Sequence, residues 1–299
     1  MNGPRNGRRN PPRNHFSVKR GKPVAATTKP IYHDRLPQQR GAVALRSGDL
    51  GLHITVRFPV HVGSGNFVLD TKGKAVKDVA RLRGEPVIPG SSIKGCCRQV
   101  YELLTGSPQA KDEKQHGKGS ALSPAAALFG CLGYQGRVSF DDAVPIGKVV
   151  LEPKKISTAY PPKNSPAGSY KFYGDLPREA SQRGRIAAFV IPAGTVLETR
   201  LRLRNVSDAE INDLLLSLGV GRFSFRIGGA KYDALGMVSF AVFSLRLHQG
   251  LIGPRESSES PADVAAFLVR LAKTSDLSSR ASKALCKLED ELPPPRGPV

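Results

Sequence analysis

Tryptophan is absent from this 299-residue chain, methionine occurs twice, and aromatic residues make up only 6% of it. Recognition built mainly on stacked rings is therefore excluded as a dominant theme. Acidic residues are scarce: 25 Asp and Glu stand against 45 Lys and Arg, giving a formal charge of +20. A partner chosen by long-range attraction must be polyanionic, with nucleic acid ahead of an anionic membrane surface. Only four cysteines are present (Cys96, Cys97, Cys131, Cys286). They include no CxxC and no Cys/His spacing, which argues against a zinc site and against a disulfide framework. No apolar run approaches the roughly 20 residues that span a bilayer, and no apolar stretch marks a signal peptide. A reducing cytoplasm and no membrane partner are expected.

What is present is a foldable body with a basic lead-in. The chain is 39% hydrophobic, too apolar for a disordered protein. Residues 1–46 hold 11 Lys or Arg and one acid, Asp34, a net of +10, leaving the other +10 for the rest. We therefore expect a flexible basic tail over 1–48 and a folded core over 49–250. That core carries insertions at 66–85 and 144–185, and a C-terminal helix with a free tail follows over 251–299.

Within the core, Leu52, Ile54, Val56, Phe58, Val60 and Val62 alternate with polar residues, as in a half-buried strand. Gly63-Ser64-Gly65 reads as the turn that ends it. Ser91 or Ser92 can cap a helix along Ile93, Cys96, Cys97, Val100 and Leu104, with Gly106 as its stop. Residues 107–124 read as loop. A short strand fits 136–140, and further strands fit 186–191 and 195–205, the latter with Leu197, Thr199, Leu201 and Leu203 facing one way and Glu198, Arg200, Arg202 and Arg204 the other. Ser207 with Glu210 is a capping-box signal for a helix ending at Gly219. Strands at 223–227 and 235–247 and a helix over 261–273 complete the order. Strand, helix, strands, helix, strand is an α+β plan, ferredoxin-like or RRM-like, with long insertions.

Two segments can hold anions. Gly90-Ser91-Ser92 opens a helix whose free N–H groups and dipole favour a phosphate, with Lys94 and Arg98 adding donors. An ordinary helix start flanked by two solvated bases is the alternative. In Arg226-Ile227-Gly228-Gly229-Ala230-Lys231, the glycines allow close backbone approach between two cations, or simply make a hairpin turn. Asp141 and Asp142 read as a structural turn, and the six histidines as core or surface groups without partners for metal or acid–base work.

These elements resemble the RAMP proteins, the repeat-associated CRISPR superfamily. The resemblance rests on VHVGSG at 60–65, GEPVIPGSSIKGCCR at 84–98, ALFG with QGRVSFDDA over 127–143, and IGGAKYDALGMVSF at 227–240. It departs from the pattern after Lys231, where Tyr232, Asp233 and Ala234 replace the usual basic or glycine residues. The chain is most similar to backbone subunits of type III and related class 1 effector complexes. That resemblance implies a prokaryotic, cytoplasmic ribonucleoprotein subunit that grips the guide region of crRNA by its sugar-phosphate chain. Gly63, Ser64, Gly65, Gly90, Ser91, Ser92, Lys94, Arg98, Arg226, Gly228, Gly229 and Lys231 are its candidate RNA-binding residues. The stretch 144–185 would be a thumb-type hairpin that displaces a base, and specificity would lie in guide pairing. Expected partners are crRNA, target RNA, further copies of the chain and other CRISPR effector subunits. Slicing members of the family use a loop aspartate with a divalent ion, and Asp70 and Asp78 are the candidates for metal-dependent endonuclease action, Mg or a similar ion serving as cofactor. Binding itself needs none. A terminal cap or adaptor subunit and a general RRM-type RNA-binding domain are the competing readings.

Overall fold

The structure, a computed structural model of the chain, describes residues 15–20, 45–112, 121–157, 169–174, 185–249 and 255–294. Most of the expected basic tail (1–14 and 21–44) and parts of the expected thumb (158–168 and 175–184) lie outside the described residues. In chain order the elements begin with strands β1 (His15–Lys19), β2 (Leu45–Val56), β3 (Gly63–Leu69), β4 (Ala75–Val79), β5 (Arg81–Leu82) and β6 (Glu85–Pro86). Helices α1 (Gly90–Thr105) and α2 (Pro124–Phe129) follow. Next come β7 (Val138–Phe140), β8 (Val144–Pro145), β9 (Glu152–Ser157), β10 (Ser169–Tyr173), β11 (Arg185–Val190) and β12 (Val196–Ser207). The chain continues through α3 (Asp208–Ser217), β13 (Phe225–Arg226), β14 (Met237–Gln249) and β15 (Arg255–Ser258), then α4 (Pro261–Ala272), α5 (Leu277–Arg280) and α6 (Ser282–Glu291).

The main sheet runs β13-β14-β2-β12-β7. Taking β2, α1, β7, β12, α3 and β14 as a βαββαβ unit, its four strands lie in the order 4-1-3-2, and all of their ladders are antiparallel. This is the ferredoxin-like, RRM-like order expected from the sequence. Alternation decides which face is covered: Leu50, Leu52 and Ile54 of β2 and Leu197 and Leu201 of β12 are fully buried. Against them pack Ile93, Cys97, Val100 and Tyr101 of α1 and Ile211 and Leu214 of α3. Each buried aliphatic side chain contributes about 1.5–3 kcal/mol, so this layer holds the unit together. The opposite face carries Asp49, Gly51 and His53 of β2 and Glu198, Arg200 and Arg202 of β12.

The two insertions meet in a second sheet, β3-β4-β11-β9. β3 and β4 form a hairpin out of the expected polar insertion, and β4 joins β11 in parallel through Lys77 and Ala188. Gly63 thus opens a strand, paired with Val79, rather than closing a turn. The first core strand starts at Leu45, four residues before the expected boundary. A helix not foreseen in the sequence, Pro124–Phe129, starts at the end of the expected loop over 107–124, because Ser123 Oγ accepts the Ala126 N–H and Pro124 sits in the first turn. In the basic lead-in, His15–Lys19 pairs antiparallel with β10, and Val18 is 2% exposed. The end of the chain is less free than expected: Leu292 is buried, and the Pro293 carbonyl accepts the Ser224 N–H.

Candidate nucleic-acid interface

His61 lies where the two glycine segments converge. The Gly229 N–H donates to the His61 carbonyl at 2.8 Å. Gly228 sits at φ +84° with that same carbonyl 2.4 Å from where a Cβ would stand, so only glycine fits there. A Cβ on Gly63 would stand 3.2 Å from the imidazole Nε2. The ring is 5% exposed, and burial holds its pKa below the ordinary histidine value. The neutral imidazole donates Nδ1–H to the Phe189 carbonyl at 2.7 Å, leaving Nε2 as an acceptor facing Gly63. Sequence reasoning set His61 aside; only its position between two glycine segments could have marked it.

The helix start differs from expectation in its cap. Pro89, not a serine, precedes α1, and the Gly90 N–H is taken by Asp142 Oδ1 at 2.8 Å. Asp142 is thus structural, as expected, and Gly90 is a glycine because the Phe140 carbonyl would lie 2.0 Å from a Cβ. Ser91 and Ser92 are consequently free of capping duty and share an outer helix face with Gly95, three and four residues on. Gly95 is exposed, and no atom lies within 4 Å of where its Cβ would be. A helix-interior glycine costs roughly 0.5–1 kcal/mol relative to alanine. No contact among the described residues requires it here.

The late loop ties the helix to His61. At one end the Arg226 carbonyl faces Cys96 Sγ at 3.9 Å, and at the other Gly229 meets His61. Just after Gly229 a short turn over Lys231–Asp233 is flanked by Ala230 and Ala234, both at left-handed φ (52° and 62°). Tyr232 donates its hydroxyl to the Ser157 carbonyl at 2.6 Å, and Asp233 Oδ2 accepts the Ser157 N–H at 2.6 Å. The residues that break the expected loop pattern are therefore the ones that pin the loop to β9. Lys231 has no acidic partner among the described residues.

Lys94 points the other way, into a groove of about 450 Å³ at the β7 edge that also touches Gln135, Ser139, Arg202 and Arg204. Burial, with like-charge repulsion from Arg98, draws its pKa below the usual lysine range. No acid among the described residues pairs with Lys94 or Arg204, whereas Arg202 is held by Asp141 at 2.6 Å. Arg202 and Arg204 were visible in the sequence only as the outward half of an alternation.

The family model of the RAMP superfamily matches residues 53–246, well over half of the chain. The chain belongs to the RAMP superfamily. A comparison with curated proteins found no match. Membership points to a CRISPR-associated RNA-binding subunit that acts with RNA and other subunits.

In this RAMP protein, several of the expected ligands already have partners. Arg98 donates to Glu102 at 2.6 Å and to the Gly130 carbonyl at 2.8 Å. Arg226 is 5% exposed, donates to the carbonyls of Tyr173, Gly174 and Leu235, and lies over the Phe58 ring. Both guanidiniums are engaged by acceptors within the protein itself. Asp70 closes the β3–β4 turn, its Oδ1 accepting the N–H groups of Lys72 and Lys74 at 2.9 and 2.8 Å, which lowers its pKa. Asp78 is gripped by Arg81 at 2.9 and 3.0 Å, and that guanidinium holds its carboxyl below the usual range. Among the described residues no group of three or more His, Cys, Asp or Glu could hold a metal ion. A protein-only metal cage does not fit these described side chains. Among the same residues no helix is long and apolar enough to cross a membrane.

Proposed function

We propose that this RAMP protein is a backbone subunit of a multisubunit CRISPR ribonucleoprotein, holding the guide region of crRNA by its sugar-phosphate chain and presenting it to target RNA. The observation that carries this reading is the loop 226–231. It spans from α1 to His61 and sets Gly228 and Gly229 against His61 beside Gly63, with Lys231, which has no acidic partner among the described residues, on the loop itself; the exposed Gly95 lies on α1, and Lys94 adds a second cation on the groove side of that helix. Exposed glycine backbone and cations without acids suit a ligand whose charge is regular and whose letters are not read. Specificity then rests with guide pairing, and further copies of the chain and other effector subunits complete the assembly in a prokaryotic cytoplasm. The thumb is assigned to the stretch 144–185, whose described part includes β9, paired antiparallel with β11.

Slicing of target RNA is a separate proposal, and it falls to Asp70. That carboxylate stands at an exposed hairpin tip with one oxygen uncommitted among the described residues, whereas both oxygens of Asp78 are taken by Arg81.

The test is co-expression with the neighbouring effector subunits, followed by sizing and sequencing of the RNA retained with the purified complex. A backbone subunit yields RNA of defined length that grows in regular steps with copy number. A complex holding a single copy at one end instead identifies a cap or adaptor, and an RNA-free complex rejects the proposal.

A further inference from the structure

The uncovered face of the main sheet carries one ring pair that the core does not need. His53 of β2 and Phe243 of β14 stack with centroids 4.2 Å apart and planes 14° from parallel. Two irregularities place them. The β14–β2 register shifts between Val242 and Ser244, so Phe243 is an extra residue re-aimed by a bulge. Gly51 lies beneath it: a Cβ there would stand 2.2 Å from Ser244 Oγ and 2.7 Å from the Phe243 ring. An alanine on β2 would lift the ring from the sheet. Neither ring belongs to the buried core, yet a bulge and a glycine in central strands are both costs to the sheet.

The surroundings indicate what lies on it. On β12 the register partner of His53 is Glu198, with Arg200 opposite Gly51 and Arg202 opposite Asp49; Arg200 is ion-paired with Asp49 at 2.8 Å and Arg202 with Asp141 at 2.6 Å, so paired charges of both signs flank the rings on the same face. Asp49 also lines the cationic groove of Lys94 and Arg204, about 13 Å along β2 from His53. On the other side, His53 borders an open groove of about 570 Å³ that includes Lys148 and Thr195. A ring stack with a cationic groove at one end and an open groove at the other suits single-stranded nucleic acid, one base on the outer face of the stack and its phosphates running toward the cationic groove.

We propose that the His53–Phe243 pair is a stacking platform for an unpaired base of single-stranded RNA, a contact separate from the glycine-lined grip and resting on the RNA-binding reading above. The chain has no tryptophan, so Phe243→Trp creates a single indole reporter at the platform. In the full chain, its emission is expected to be quenched by oligouridylate and unaffected by an abasic oligoribonucleotide of the same length. Phe243→Leu, which keeps an apolar side chain without a ring, is expected to weaken oligouridylate binding about 5- to 150-fold. Melting temperatures of both variants near that of the parent show that the sheet is intact; a variant that fails to fold is replaced by His53→Leu, with the same expectation. Bound oligouridylate that leaves the indole unquenched, or quenching equal with abasic RNA, overturns the proposal. So does an indole signal that changes with protein concentration alone, which assigns the platform to a second copy of the chain. Binding lost in Lys94→Ala/Lys231→Ala but unchanged in Phe243→Leu overturns the platform and leaves the grip standing. The converse overturns the grip alone.

Discussion

Gly95 offers a substitution whose effects on folding and on binding have opposite signs. It is an interior residue of α1 at ordinary helical dihedrals, and among the described residues nothing lies within 4 Å of the missing Cβ. Alanine therefore meets no clash and removes backbone freedom from the unfolded chain, worth about 0.5–1 kcal/mol. For a domain of this size that is a rise of about 1–4 °C in melting temperature. On the bound side, a methyl on the face shared with Ser91 and Ser92 holds a phosphate off the helix. The loss of one charge-assisted contact, about 1.5 kcal/mol, weakens RNA binding roughly tenfold. Thermal melting of the free protein and anisotropy titration with labelled single-stranded RNA read the two effects. A stabilised Gly95→Ala protein that binds RNA like the parent would refute the reasoning, because the glycine would then serve nothing. A destabilised one would show that the helix face packs against part of the protein.

Arg137 is 2% exposed and ion-paired with Glu210, which also completes the α3 capping box. Glu210→Gln strands that buried cation, and a loss of about 3–5 kcal/mol is expected, read as a lower denaturation midpoint; a change under 1 kcal/mol would contradict the pairing. Burial raises the Asp213 carboxyl to about 6 from an ordinary value of 3.8, although Ser275 donates to it at 2.6 Å. The folded state thus binds this proton more tightly than the unfolded state does, and the group's contribution is lost as pH rises from about 4 to 6. Asp213→Asn should raise the melting temperature more at pH 8 than at pH 4, and a uniform shift would count against the assignment. If the assembled complex cuts target RNA, Asp70→Ala should stop the cutting while Asp78→Ala, with RNA retention intact, should not; gel analysis with a divalent ion present decides, and cutting that survives Asp70→Ala removes that residue from the chemistry.

The sheet was legible because burial on one face forces alternation. Leu197, Leu201 and Leu203 against Arg200, Arg202 and Arg204 could be sorted without coordinates, and Ser207 with Glu210 announced α3. The site was legible in its motifs and not in its roles. Arg98 looked like a phosphate ligand, although Glu102 four residues on was already a visible partner. Arg226 could not be excluded, since the carbonyls it serves at Gly174 and Leu235 reach it only through tertiary packing. Asp142 caps a helix that starts 52 residues earlier in the chain, and no local pattern encodes that. The same holds for His61 and for Phe243, whose positions depend on a glycine in another strand or loop.

The central claim, a grip on the ribose-phosphate chain independent of sequence, is tested most directly by the salt dependence of single-stranded RNA binding for the parent and for Lys94→Ala/Lys231→Ala. Removing two phosphate contacts should weaken binding to unrelated RNA sequences alike and reduce the log–log salt slope by about 1.4. An unchanged slope and affinity, or a loss confined to one RNA sequence, would contradict it.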